Sequence, residues 1–169
     1  MARLLVTVGM GSFPFNRLIA AVAPLCAYHD VFVQTGTSPV TPPSPHARYV
    51  PFEEMRARLA EADVVITHAG RGTVRLVQRL GGVPVVVARR RALGETLSSR
   101  QEDFLRGEEQ TGRVHAVWDV ASLPAAVASH GETAAGLLET RPLPPVLPRE
   151  DLIAALDAIA GRLCGRPLP

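Results

Sequence analysis

Short apolar runs alternate with amphipathic stretches along most of this chain. Leu4-Leu5-Val6-Thr7-Val8 is the first run, and its length and β-branched content predict a strand. Gly9-Met10-Gly11-Ser12 breaks it. Over 16–28, Leu18, Ile19, Val22 and Leu25 recur at helical spacing, with Asn16 as the expected N-cap. A second strand is predicted over 31–35. The following loop carries Pro39, Pro42, Pro43 and Pro45 and has no regular pattern. A polar helix is predicted over 53–62, and the clearest buried strand over 63–67. The turn His68-Ala69-Gly70-Arg71-Gly72 leads into a helix over 73–80, which Gly81-Gly82 stops. A strand over 83–87, a polar stretch over 89–98, a helix near 99–106, a strand over 114–117 and a helix over 121–128 complete the alternation.

Strand and helix patterns in alternation imply βαβ units. The expected fold is α/β: a single Rossmann-like parallel sheet with helices on both faces. That domain is expected over residues 1–141. Residues 142–148 contain four prolines and read as a linker. Residues 149–169 read as a terminal helix and tail, with Leu152, Ile153, Leu156, Ile159 and Leu163 on one apolar face of a helix over 150–163. The 169 residues suit one α/β domain rather than two. No internal repeat is present.

Composition narrows the chemistry. The chain is 47% hydrophobic and 20% charged, enough for a core. All 18 basic residues are Arg, which removes Schiff-base chemistry, a phosphate-loop Lys and a Lys base. A net charge of +2 does not by itself point to nucleic acid. Cys26 and Cys164 lie far apart in apolar helical contexts and read as buried free thiols. The apolar run at the start is too short for a secretory or membrane-spanning segment, so a cytoplasmic location is expected, with membrane contact only through a partner.

In open parallel sheets, ligands lie beyond the carboxyl ends of the strands. Three unusual segments are expected there: residues 9–12, 68–73 and 89–101. In the second, Gly70 and Gly72 let the backbone approach a ligand closely. Thr73 opens a helix whose free N–H groups favour an anion. His68 ends a strand and can donate to a phosphate oxygen. The bland alternative is a tight strand–helix turn with a cap. The first segment, with Gly9, Gly11 and Ser12, is weaker: Pro14 stands where a dinucleotide fingerprint needs its third glycine. In the third, Arg89 is expected to neutralise a diphosphate. Glu95 is expected to accept from sugar or ribose hydroxyls, and Gln101 to read a hydroxyl pattern. Arg90 and Arg91 read as solvated charges.

These residues together resemble a known family. Val6-Thr7-Val8-Gly9, residues 62–73 with His68-Ala69-Gly70-Arg71-Gly72-Thr73, residues 82–87, Gly94-Glu95 and Arg100-Gln101 are similar to the C-terminal domain of family 28 glycosyltransferases. The likeness spans roughly residues 3–120 and is greatest to the small single-domain members. Those are the soluble donor-binding subunits of two-component UDP-sugar transferases, in dolichol-linked and in bacterial exopolysaccharide synthesis. The resemblance implies the donor half of an inverting GT-B enzyme. It implies that the two Gly-rich turns, including Ala69 and Arg71, embrace the diphosphate of a UDP-sugar while Gln101 reaches the sugar. It implies a separate membrane-associated protein as acceptor half, sugar transfer to a lipid-linked or polysaccharide acceptor, no metal and no further cofactor, and little activity of the chain alone. Leu76 departs from the pattern, standing where larger members place a Glu on the ribose; that task falls to Glu95 or is lost. Arg100 replaces a His, and Ala88 a Pro. No general base is assigned within the chain. A non-catalytic nucleotide-sugar-binding or regulatory module is the other reading, and pairing of two copies through the terminal helix is a further expectation.

Overall fold

The computed structural model describes residues 1–140 and, beyond them, Ile153 and Ile159, each helical and about half-exposed. Six parallel strands form one sheet: β1 (Arg3–Thr7), β2 (Asp30–Gln34), β3 (His46–Ala47), β4 (Val64–His68), β5 (Val85–Val87) and β6 (His115–Ala116). Their order is β3-β2-β1-β4-β5-β6. The helices are α1 (Asn16–Val22), α2 (Phe52–Glu61), α3 (Arg71–Arg79), α4 (Arg100–Gln110), α5 (Leu123–Ala128) and α6 (His130–Thr140). The α/β parallel-sheet expectation holds.

The strands read as continuous apolar runs because both sheet faces are covered. Alternate residues go to opposite sides. Leu4, Val6, Val64, Ile66, Val85 and Val87 pack with Leu18, Ile19 and Val22 of α1 and with Leu123 and Val127 of α5. On the other face, Leu5 and Val65 meet Leu59 of α2 and Val77 of α3. Val86 meets Val74 of α3 and Leu105 of α4 there.

Several local expectations change. The helix over 16–28 is α1 followed by a 3₁₀ segment, Ala23–Ala27. Pro24 lacks the N–H that a continuing α-helix needs. Asn16 is the first helical residue rather than the cap; Phe15 holds the N-cap position, with no side-chain cap. Cys26 is half-buried, its thiol donating to the Val22 carbonyl at 3.7 Å. The two-residue β3 and the helix α6 have no counterpart in the sequence pattern. The linker over 142–148 and Cys164 lie outside the described residues, as does the helix over 150–163 apart from Ile153 and Ile159. Among the described residues, no helix is long and apolar enough to cross a membrane.

Candidate functional site

The strand order turns at β1. From there the chain winds one way through β2 to β3 and the other way through β4 to β6. Adjacent strands whose connections leave in opposite directions open a crevice at their carboxyl ends. β1 and β4 end side by side, with Thr7 in register with Thr67. The loop after β1 and the turn after β4 therefore face each other.

His68 joins them. A Cβ built on Gly9 would lie 2.4 Å from the imidazole Cε1, and one on Gly70 only 2.1 Å from Nε2. The ring thus rests against both backbones, at a distance that glycine alone permits. Gly9 also needs its freedom for a φ of +76°. Burial, reinforced by the Arg89 charge and opposed by a hydrogen bond to the Thr7 backbone, holds the His68 pKa down to about 4. His68 is therefore a neutral imidazole at pH 7, and its single N–H is the one bonded to the Thr7 backbone.

The Gly9 turn is held from β2. Gln34, 2% exposed, accepts from the Gly9 N–H at 3.1 Å and donates to the Gly9 carbonyl at 3.0 Å. Its carbonyl oxygen also accepts from the Thr7 hydroxyl at 2.6 Å. The Gly9 N–H is thus already bonded, and its contribution is shape. Gly11 and Ser12 are exposed farther along the loop.

After β4, Gly70 is the N-cap of α3, so the helix opens at Arg71, two residues before the expected Thr73; Arg71, Gly72 and Thr73 form its first turn, with no side-chain cap. Nothing lies within 4 Å of a Cβ on Gly72. The first N–H groups of an uncapped helix are open donors, and the helix dipole adds positive potential.

Arg89 and Glu95 do not face the crevice as free groups. Arg89 is 4% exposed. Its guanidinium donates to the carbonyls of Val8 at 2.9 Å, Phe13 at 2.7 Å, Pro14 at 3.1 Å and Glu95 at 3.3 Å. It also lies 4.7 Å from the centre of the Phe15 ring. Burial lowers its pKa from the ordinary value, and Glu95 works against that. Glu95 accepts both ends of Arg17, each at 2.9 Å, and the Arg90 N–H at 2.9 Å. The groups expected to meet a diphosphate (Arg89) and sugar or ribose hydroxyls (Glu95) thus have partners within the chain. Both are braces between residues 8–15 and 88–95, because each donor and acceptor finds a backbone or Arg17 partner first. Arg90 is no solvated charge either, since its guanidinium donates to the Trp118 carbonyl.

Gln101 accepts from the Arg89 N–H at 3.3 Å. With Ala69, Gly70, Arg71, Arg100 and Phe104 it lines a cleft of about 470 Å³ between the starts of α3 and α4. Sequence reasoning missed Gln34, Arg17 and Phe104, and noted Arg100 only as a departure from the family's His. The one available signal was a Gln ending an apolar strand. Among the described residues, no three His, Cys, Asp or Glu side chains are grouped to hold a metal.

The model of the glycosyltransferase family 28 C-terminal domain matches residues 3–126. The chain belongs to this family. No curated protein sequence matches it significantly. Solved structures place the family 28 domain in a wider fold. The glycotransferase of kitacinnamycin matches with a TM-score of 0.60 at 19% identity, over 83% of this chain and 38% of its own. CalG4, the calicheamicin glycosyltransferase, gives 0.64 at 17%, over 96% and 44%. SnogD from Streptomyces nogalater gives 0.57 at 21%, over 95% and 44%. At these identities the likeness shows the fold, that of GT-B glycosyltransferases. The family 28 domain here spans less than half the length of each of these proteins.

Proposed function

We propose that this domain binds the donor of an inverting glycosyltransferase, holding the diphosphate of a UDP-sugar between its two Gly-rich turns. The observation that carries this reading is the uncapped start of α3 beside a neutral His68, at the point where the strand order turns. As the acceptor hydroxyl attacks the anomeric carbon, the bonding pair leaves with UDP and negative charge grows on the diphosphate. Preformed N–H groups of residues 71–73 and Arg71 oppose that charge without reorganising. The acceptor proton goes to a base outside this chain.

The likeness of the motif residues to the donor-binding subunits of two-component transferases supports a separate acceptor half. We place it on a membrane-associated partner at the cytoplasmic face, with a lipid-linked or polysaccharide acceptor. One observation favours a non-catalytic binding module instead: Leu76 offers the ribose no carboxylate, and Glu95 is taken up by Arg17.

Thermal stabilisation tests the reading. UDP is expected to raise the melting temperature more than UMP or NAD, by mass action on the native state. No shift with any uridine diphosphate compound at millimolar concentration, in a folded sample, overturns it. Gln101→Ala is expected to shrink the affinity gap between UDP-sugar and UDP; an equal loss for both places Gln101 away from the sugar.

A further inference from the structure

His115 opens β6 and His130 opens α6, and their rings stack. The planes lie 8° from parallel, with the ring centres 5.9 Å apart. His130 is 7% exposed. It also lines a cavity of about 150 Å³ at the amino ends of β4 and β5, with Asp63, Val65, Leu80 and Val83. The Nδ1 atoms of both rings are buried without a hydrogen-bond partner among the described residues. Buried polar atoms are normally bonded, so the pair calls for an explanation.

The seating of α6 depends on this contact. His130 is the one residue that α6 buries, and no residue of α6 belongs to the apolar clusters on either face of the sheet. A helix whose single buried side chain is an imidazole is sensitive to the charge on that ring. Burial lowers the pKa of both rings, and His115 lowers that of His130 further. No carboxylate among the described residues works the other way. α5 has no charged residue. Glu132 and Glu139 of α6 and Glu61 of α2 are exposed, and Asp63 pairs with Arg3. Arg113 before β6 and Arg79 at the end of α3 add only positive charge.

We propose that the His115–His130 stack is an acid-sensitive clasp, which seats α6 on β6 while both rings are neutral and releases it when the pair takes up a proton, the sheet staying folded. Folding holds both rings below the ordinary value of 6.5, so the unfolded segment binds protons more readily. The clasp is complete above pH 6.5 and is lost as pH falls below it. One proton puts a charge into a buried site, and a second would face the first across the stack. Release uncovers neither sheet face, because α1 to α5 supply the side chains packed there. α6 joins the sheet domain to residues 141–169, so the clasp sets how firmly that connection is held. The inference is independent of the donor reading.

Hydrogen exchange on the full chain, read as protection factors at pH 7 and pH 5, tests the clasp. Protection over residues 134–140 is expected to fall about tenfold in acid, the factor to which one pKa unit of linkage amounts. β4 also loosens in acid through His68, so two variants separate the causes. His130→Phe keeps a flat ring, has the adjoining cavity for its extra volume, and cannot take a proton. It is expected to remove most of the pH dependence of α6 while leaving that of β4. His115→Phe, at a less buried position, is expected to remove part of it and decides the matter if His130→Phe does not fold. Equal protection of α6 at both pH values in the unaltered chain, or a fall that persists undiminished in either folded variant, overturns the proposal.

Discussion

At the scale of single residues, the site is governed by how closely His68 approaches two glycines. Gly9→Ala and Gly70→Ala each put a methyl group inside the ring's contact distance. Each is expected to destabilise the fold by about 2–4 kcal/mol, Gly9→Ala more because its φ is positive. Adding His68→Ala to Gly70→Ala is expected to recover part of the loss, so the double-mutant cycle by chemical denaturation departs from additivity. Gly72→Ala is the contrast. Nothing meets its Cβ, and Ala favours a helix over Gly, so stability is unchanged or rises by up to about 1 kcal/mol. Protonation of His68 has a definite sign. Its folded pKa of about 4 lies below the ordinary value of 6.5, so the unfolded chain binds the proton more readily. The stability contributed by the neutral ring is complete above pH 6.5 and is lost as pH falls towards 4, on the order of 3 kcal/mol in all. An NMR titration of the imidazole is expected to show a midpoint near 4 without ligand; a midpoint near 6.5 would refute the buried neutral state.

At the scale of elements, the loops after β1 and β5 behave as one body because Arg89, Glu95 and Arg17 tie them. Arg89→Met leaves four carbonyls without their donor and is expected to cost about 3–5 kcal/mol. Arg89→Lys is expected to restore little, since one ammonium cannot reach four carbonyls in a planar fork. Glu95→Gln and Arg17→Met are each expected to cost about 1–3 kcal/mol, with strong coupling in the double mutant. Additive losses would show that the pair is not a brace. Hydrogen exchange in residues 9–15 is expected to quicken in Glu95→Gln, although that substitution lies 80 or more positions away in sequence, because the brace carries order from one loop to the other.

At the scale of the whole molecule, residues 1–140 bury both faces of the sheet under their own helices. A chain ending at Arg141 is therefore expected to keep its cooperative thermal transition and its response to UDP. The amphipathic pattern over 150–163 needs an apolar surface to cover, and truncation is expected to abolish pairing with the acceptor half or with a second copy. Co-purification with the acceptor half and analytical ultracentrifugation check the two arms. Retained pairing after truncation would place the docking surface on the sheet domain. If the base and the acceptor site belong to a partner, as proposed, the isolated chain is expected to transfer no sugar; full turnover by the purified chain would refute the two-part arrangement.

The sequence by itself determined the elements whose conformation is local. Five of the six strands stand out as short β-branched runs, with ends placed within a residue or two, because burial on both faces demands continuous apolar side chains. The Gly-rich breaks and the open start of α3 were legible for the same reason, since backbone conformation is written in the residues that adopt it. The parallel α/β class followed from the alternation. Only the tertiary structure decided what each polar side chain holds. Arg89 and the Val8 carbonyl are 81 positions apart, and Arg17 and Glu95 are 78 apart. No periodicity reports such pairings, which arise when the strand order sets β1 next to β4 and the loop after β5 beside them. Buried donors and acceptors then take the nearest partner, and so Arg89 and Glu95, both expected at the ligand, tie residues 8–15 to residues 88–95. The two-residue β3 rests on Val33 and Gln34 of β2 rather than on any apolar run of its own. α6 carries Gly131 and Gly136 and buries only His130, a pattern too weak to announce a helix until α5 and β6 supply its support.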